Sequence, residues 1–313
     1  MIEILLATYN GARYLPEMIR SLDGQDAPSF RVLVRDDGST DGTQAILMAW
    51  RDRCPDRVAI LETGAPTGSA SGNFRRLMEA ASGEYILFAD QDDYWHPEKI
   101  SRTVAALRQA GGDGNRPVMA FCDLVVVDEQ RRPIAGSFRR FQQLDIGQGL
   151  TLPRLLVQNV VTGCAMGINN AALRLGRHVP DAALMHDWWL ALICAACGTI
   201  VPMPEALIDY RQHGANVVGA QAYSTRRTLR SWLTVWLRSE RRHRFQRNYA
   251  RLMEQAAALA EKLGSACPPQ AARQIAGFRS LPMVDPVTRR FRALRGGYHP
   301  SGVLRVMSWL VRI

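Results

Sequence analysis

Three groups of carboxylates stand just past short apolar runs: Asp36-Asp37 after Phe30–Arg35, Asp90-Gln91-Asp92-Asp93 after Tyr85–Ala89, and Asp187 in His186-Asp187-Trp188-Trp189. In open α/β sheets, ligands bind beyond the carboxyl ends of the strands, so these groups can converge on one crevice. Three carboxylates within four residues repel one another unless a cation or a proton intervenes. Hard divalent ions prefer oxygen ligands, and Mg²⁺ tends to bind through one or two carboxylates together with substrate phosphates. The chemistry on offer is a metal and diphosphate clamp. For an isolated Asp-x-Asp, a solvated acidic turn ahead of a helix is the competing reading.

The elements that must hold these residues follow from periodicity. Ile2–Ala7 reads as a buried strand, followed by Leu15, Met18, Ile19 and Leu22 on one face of a helix. Further strands are predicted at 30–35, 58–61 and 85–89, and one or two within 118–127. Helical stripes lie between them, including Phe74, Leu77, Met78 and Ala81, and Pro97 suits the first turn of the next helix. Short apolar runs alternating with amphipathic helices predict an α/β fold with a mostly parallel central sheet. Residues 129–162 lack periodicity and read as a loop-rich segment of the kind that lines acceptor sites. A strand at 164–168, a helix over 185–197, a strand near 200–203 and a last regular piece at 207–213 complete the pattern.

Composition narrows the function classes. The 313 residues are 47% hydrophobic and 22% charged, within the globular range, which excludes a disordered or collagen-like chain. The formal net charge of +10 is unevenly placed: residues 1–221 carry −4 and residues 222–313 carry +14. An acidic N-terminal region argues against a nucleic-acid binder. The six cysteines are scattered and read as reduced. Cys194-Ala-Ala-Cys197 sits in an apolar run with no second pair, which favours helix packing over zinc. The N-terminus lacks the features of a secretory signal and no stretch of about 18 apolar residues occurs, so a cytoplasmic protein is expected.

Taken in order, Ala7-Thr8-Tyr9-Asn10, then Val34-Arg35-Asp36-Asp37-Gly38-Ser39-Thr40-Asp41-Gly42-Thr43, then Gly83-Glu84-Tyr85 leading into Asp90-Gln91-Asp92-Asp93-Tyr94-Trp95, the chain closely resembles the family 2 glycosyltransferases of GT-A fold over about residues 1–215. The Asp-Gln-Asp-Asp run with its following Trp, His186-Asp187-Trp188-Trp189 and Tyr210-Arg211-Gln212-His213 are similar to the bacterial rhamnosyltransferase branch. The resemblance implies a catalytic domain, and the composition shift near residue 221 bounds it at 1–221, ahead of an Arg-rich helical C-terminal region over 222–313.

It also implies roles. Ala7, Thr8, Tyr9 and Asp37 would hold the nucleoside of a dTDP- or UDP-sugar, with Asp37 accepting from the pyrimidine N–H and Asp36 a structural partner. Asp92 would bind Mg²⁺ or Mn²⁺, Asp90 would contact ribose or a metal-bound water, and Gln91 fills the variable position. Asn73 would face the donor, His213 would be a further metal ligand and Arg211 would pair with phosphate. Asp187 would be the base in a single inverting displacement, preceded by His186 where many members carry Glu. Helix capping is the competing role for Asp187. The implied reaction moves a sugar, best L-rhamnose from dTDP-rhamnose, to a hydroxyl of a glycan or lipid-linked acceptor in bacterial surface polysaccharide assembly.

Two other classes compete. A nucleotidyltransferase would need a Gly-rich, basic loop after the first strand, and none is present. A catalytically silent lipid- or nucleic-acid-binding protein would rest on the tail alone. There, Leu229, Trp232, Leu233, Trp236 and Leu237 form an apolar helical face among arginines. That face fits either the inner surface of the cytoplasmic membrane or a second subunit of a homo-oligomer.

Overall fold

The computed structural model describes residues 1–27, 29–62, 64–111, 114–214 and 239–313. The helix expected around Leu229–Leu237 lies outside the described residues. Two compact units are present: Met1–Phe138 with Val161–Val179 and Thr199–Ala220, and Arg139–Val160 with Pro180–Gly198 and Gln221–Ile313.

The first unit is built on one nine-stranded sheet. In chain order its elements are β1 (Ile2–Thr8), α1 (Leu15–Asp23), β2 (Arg31–Asp36), α2 (Thr43–Arg53), β3 (Val58–Ile60), α3 (Ala70–Ala80), β4 (Tyr85–Asp90), β5 (Tyr94–Trp95), α4 (Lys99–Gly111), β6 (Val118–Val127) and β7 (Pro133–Ala135). The short helices α5 (Phe138–Gln142), α6 (Ile146–Gly149) and α7 (Leu152–Leu155) occupy much of the segment expected to be loop-rich. Then come β8 (Met166–Asn169), α8 (Asn170–Gly176) and β9 (Thr199–Arg211), with α9 (His186–Cys197), which belongs to the second unit, between α8 and β9 in sequence.

Strand order is β3-β2-β1-β4-β8-β6-β9-β5, with β7 on β6. β1 to β4 pair in parallel, as expected. The rest of the sheet is mixed: β8 runs antiparallel to both β4 and β6, and β5 antiparallel to β9, while β6 and β9 are parallel. The sheet is therefore less parallel than the sequence pattern suggests. β1 is buried along its whole length, which is why it reads as an unbroken apolar run. Its one acid, Glu3, is satisfied by the backbone N–H groups of Ser82 and Gly83 at 2.8 and 3.0 Å.

Register places the chemistry. Ala7 pairs with Arg35 on one side and Asp90 on the other, and Thr8 pairs with Asp36. The carboxyl ends of the three central strands therefore lie in line, with both aspartate clusters emerging at one edge. β9 pairs Val127 with Arg211 and returns the chain to this edge.

The second unit is helical. Leu252, Ala256, Leu259 and Leu263 bury one stripe of the helix Ser239–Leu263, and Gln255 Oε1 accepts the Leu184 N–H at 2.8 Å. Helices Pro269–Arg279, Pro286–Arg295 and Val303–Arg312 follow. Ser301 N–H donates to Gln158 Oε1 at 2.9 Å, and the Arg154 guanidinium donates to the Pro300 carbonyl at 3.1 Å, so segment 139–160 is part of this unit. No helix among the described residues is long and apolar enough to cross a membrane. All six cysteines are free, and Cys194 is buried within α9.

Candidate active site

At the end of β1, Thr8 Oγ1 donates to Asp36 Oδ1 at 2.9 Å, and the Thr8 carbonyl accepts from Asp37 N–H and from the Asn73 amide at 2.9 and 3.2 Å. Asp36 also accepts from the Ser39 hydroxyl and N–H and from Gln44. It closes the turn between β2 and α2, a structural role.

Asp37 is buried, and all its acceptor capacity is taken. Oδ1 accepts from Arg35 at 2.6 Å and from Thr67 N–H at 2.7 Å, and Oδ2 accepts from the Thr67 hydroxyl and the Gly68 N–H, each at 2.9 Å. An ionised carboxylate offers about four such positions. Burial alone would raise its pKa; the hydrogen bonds from Thr67, Arg35 and Gly68 outweigh that and hold it below the ordinary aspartate value. Asn73 is also enclosed. Its amide donates to the Thr8 and Arg35 carbonyls and its oxygen accepts from Arg35 at 2.9 Å, so it clamps the ends of β1 and β2 together.

Gln91 holds the next segment by a reciprocal pair: Tyr9 N–H donates to its oxygen and its amide donates to the Tyr9 carbonyl, both at 2.8 Å. A Cβ on Gly11 would fall 2.1 Å from that oxygen, so a larger residue there would push the Gln91 amide off Tyr9. With its backbone fixed, the Tyr9 side chain stays 57% exposed beside the crevice.

The acidic cluster is organised by β9. His213 Nε2 lies 2.7 Å from Asp92 Oδ2, and its ring stacks on Tyr14 with centroids 4.7 Å apart. Arg211 is buried: its N–H donates to Asp93 Oδ1 at 3.2 Å, its Nε to the Asp92 carbonyl at 2.9 Å, and its guanidinium to Glu17 at 2.8 Å and to the Glu129 carbonyl. Arg211, expected to pair with phosphate, is thus engaged with the protein and braces the loop that carries Asp92.

Asp93 Oδ2 is buried without an N–H or O–H donor among the described residues. Asp90, Asp93 and Cys164 bring ligand atoms within 4.8 Å of one another. Burial, then the charges of Asp92 and Asp90, push Asp93 well above the ordinary aspartate range. Burial likewise raises Cys164, which keeps it a thiol. Asp90 and Asp93 offer carboxylate oxygens of the kind Mg²⁺ or Mn²⁺ prefers, with the Cys164 thiol as third neighbour, while Asp92 and His213 meet each other in the same acidic run.

Asp187 lies in the second unit, in the first turn of α9, where Met185 is the N-cap. It is buried, and one oxygen accepts the Trp188 N–H at 2.6 Å. The Trp188 indole N–H donates to the Leu155 carbonyl at 2.6 Å, which fixes α9 against α7. Burial pushes His186 down to about 3, so it stands neutral beside Asp187. Trp95 is fully buried and belongs to the core.

The profile of glycosyl transferase family 2 matches residues 3–173, more than half the chain. The chain belongs to that family. Its α/β architecture with a mixed sheet and C-terminal helices is that of the GT-A glycosyltransferases. An uncharacterized glycosyltransferase of Nostoc is 28% identical over 223 residues, covering 69% of this chain and 66% of the relative. The dTDP-rhamnosyl transferase RfbG of Shigella flexneri is 34% identical over 105 residues, 33% of this chain and 36% of the relative. The chain thus spans about two thirds or less of these relatives. The solved structure of a Pyrobaculum calidifontis mannosyltransferase in complex with GDP-Man and Mn²⁺ superposes with a TM-score of 0.52 at 18% identity, covering 99% of this chain and 86% of that one.

Sequence reading alone misses Glu17, Tyr14 and Cys164. Glu17 and Arg211 are 194 residues apart, and nothing local to either announces the pairing. Asp93 lies within the acidic run, and its signal is a third carboxylate within four residues, one more than a metal clamp needs.

Proposed function

We propose that this family 2 glycosyltransferase uses a divalent cation, Mg²⁺ or Mn²⁺, to move a sugar with inversion from a nucleotide-sugar donor to a hydroxyl of a glycan or lipid-linked acceptor. The observation that carries the reading is the 2.7 Å approach of His213 to Asp92, two residues beyond the end of β4, at the edge where β1 ends in Thr8 and β2 in Asp36. Asp92, Asp90 and His213 would hold the ion, which supplies positive charge against the departing nucleoside diphosphate.

Thr8 and Tyr9 would line the nucleoside side, with Asp37 reading a pyrimidine N–H once Thr67 or Gly68 gives up its place on the carboxylate. Asn73 and Arg211 act from behind, holding the β1 edge and the Asp92 loop. Asp187 would accept the acceptor hydroxyl proton as the new C–O bond forms. An aspartate side chain, which ordinarily titrates at about 3.9, is too weak a base to do so earlier.

The donor we favour is dTDP-L-rhamnose and the setting bacterial surface polysaccharide assembly, on the resemblance of the Asp-Gln-Asp-Asp run and the partial match to a dTDP-rhamnosyl transferase. Incubation with dTDP-rhamnose, UDP-sugars and GDP-mannose, each with Mn²⁺ or Mg²⁺, tests this through release of the nucleoside diphosphate. Turnover that is greatest with dTDP-rhamnose and abolished by EDTA is expected. Metal-independent release, or preference for another base, refutes the corresponding part.

A further inference from the structure

Helix Pro286–Arg295 carries an apolar stripe on its solvent side. Val287, Phe291 and Leu294 follow at i, i+4 and i+7, and Val287 and Phe291 are 73% and 60% exposed, while Ala293 is buried on the opposite side. Met283, just before the helix, is 84% exposed. The neighbouring helix Val303–Arg312 is tied to it by Arg290 Nε, which donates to the Leu310 carbonyl at 2.8 Å, and it too exposes apolar side chains, Val303 and Met307. A surface helix normally turns its polar side outward; here both helices turn apolar residues to water. Apolar side chains exposed together on two linked helices, rather than scattered singly, mark an interaction site.

Charge selects the partner. Residues 281–313 contain six arginines and one acid, Asp285, a net +5. Among the described residues no carboxylate pairs with Arg289, Arg290, Arg292 or Arg295. Arg289 and Arg290 donate to backbone carbonyls, which leaves their charge uncompensated, and Arg292 and Arg295 flank Phe291 and Leu294 in the sequence of the same helix. Apolar side chains that enter an acyl layer, rimmed by cations that meet anionic headgroups, are the two requirements of an interfacial helix. A nucleic acid would use the arginines but gain nothing from the apolar stripe.

We infer that helices Pro286–Arg295 and Val303–Arg312 form a docking surface for an anionic lipid bilayer. Its residues are neither those of the arginine-rich segment at 229–237 nor those assigned to the donor, so its test and that of sugar transfer are read separately.

Flotation of the full chain with phosphatidylglycerol-containing vesicles, and with phosphatidylcholine vesicles as reference, tests the inference. The wild type should float with the anionic vesicles and not the neutral ones, and Val287→Glu/Phe291→Glu should weaken binding at least tenfold while nucleotide release from the donor is unchanged. Because both positions are solvent-exposed the pair should fold. Arg292→Ser/Arg295→Ser provides a second variant, expected to weaken binding, and Phe291→Trp should retain it. Absence of vesicle binding by the wild type, binding unaltered in both double variants, binding to DNA in place of vesicles, or variants that change only the sedimentation mass would each overturn the inference.

Discussion

His213 Nε2 sits 2.7 Å from Asp92 Oδ2, although 121 residues separate them. The contact exists because β9 pairs in parallel with β6 and carries the chain back to the edge where β4 ends. The imidazole is further set by stacking on Tyr14. If the pair holds the divalent ion, His213→Ala should lower metal-dependent nucleotide affinity by about tenfold or more, equivalent to about 1.4 kcal/mol, with the fold intact. Calorimetric titration of nucleoside diphosphate with and without Mn²⁺ measures it; equal affinities for variant and wild type would remove His213 from the ion's ligands.

Arg211 makes the opposite prediction. Its guanidinium is buried against Glu17, Tyr14 and two carbonyls, so its loss is first a loss of stability. Arg211→Ala leaves the partly exposed Glu17 without its partner and the Asp92 loop unbraced, with an expected cost of about 1.5–3 kcal/mol, the scale of a charged hydrogen bond. Arg211→Lys should recover little, since one ammonium cannot reproduce the planar fork. Denaturant unfolding of both variants reads the difference. A stable Arg211→Ala that had lost only diphosphate affinity would instead show that the side chain serves the ligand.

For Asp37 the expectation concerns pH. Its folded pKa is depressed, so the ionised form adds stability that is present above the unfolded value of about 3.9 and is lost as pH falls through the folded value. Asp37→Asn should therefore lie well below the wild type in Tm at pH 6, with Arg35 left unpaired, and the gap should narrow below about pH 4. A gap independent of pH would mean that the Arg35 pair is not what Asp37 contributes.

Asp187→Asn should leave nucleotide binding within about twofold of the wild type and lower the transfer rate by about 10²–10⁴, the usual contribution of a positioned base. Single-turnover transfer measured beside nucleotide titration separates the two. Loss of binding without loss of rate at saturation would contradict the assignment.

The N-terminal strands and the acidic edge are legible in the sequence because β1, β2 and β4 are buried, largely apolar runs, and β2 and β4 end in aspartates. Periodicity alone finds them. β9 is not legible as one strand: Pro202 and Pro204 interrupt the run, and the register shifts between Phe121 and Val125 of β6 accommodate the irregularity. The sheet's mixed half escapes for a related reason, since β8 has only four residues and its direction is set by where Gly163–Ala165 turns. Among site residues, motif position singles out Asp92 and His213. It does not reveal that Asn73 and Arg211 face inward, because an amide and a guanidinium at a site edge look alike whether they touch ligand or backbone.

The central claim is that Asp92 and His213 hold a divalent cation that the nucleotide donor requires. Thermal-shift measurement with dTDP, UDP and GDP, each with and without Mn²⁺ or Mg²⁺, tests it most directly when Asp92→Asn is run in parallel. A ligand at a hundredfold excess over its Kd adds about 2.7 kcal/mol to apparent stability, enough for a clear rise in Tm. The expected result is a rise with one nucleotide that needs the metal and disappears in Asp92→Asn. A rise of equal size without metal, or one preserved in Asp92→Asn, would contradict it.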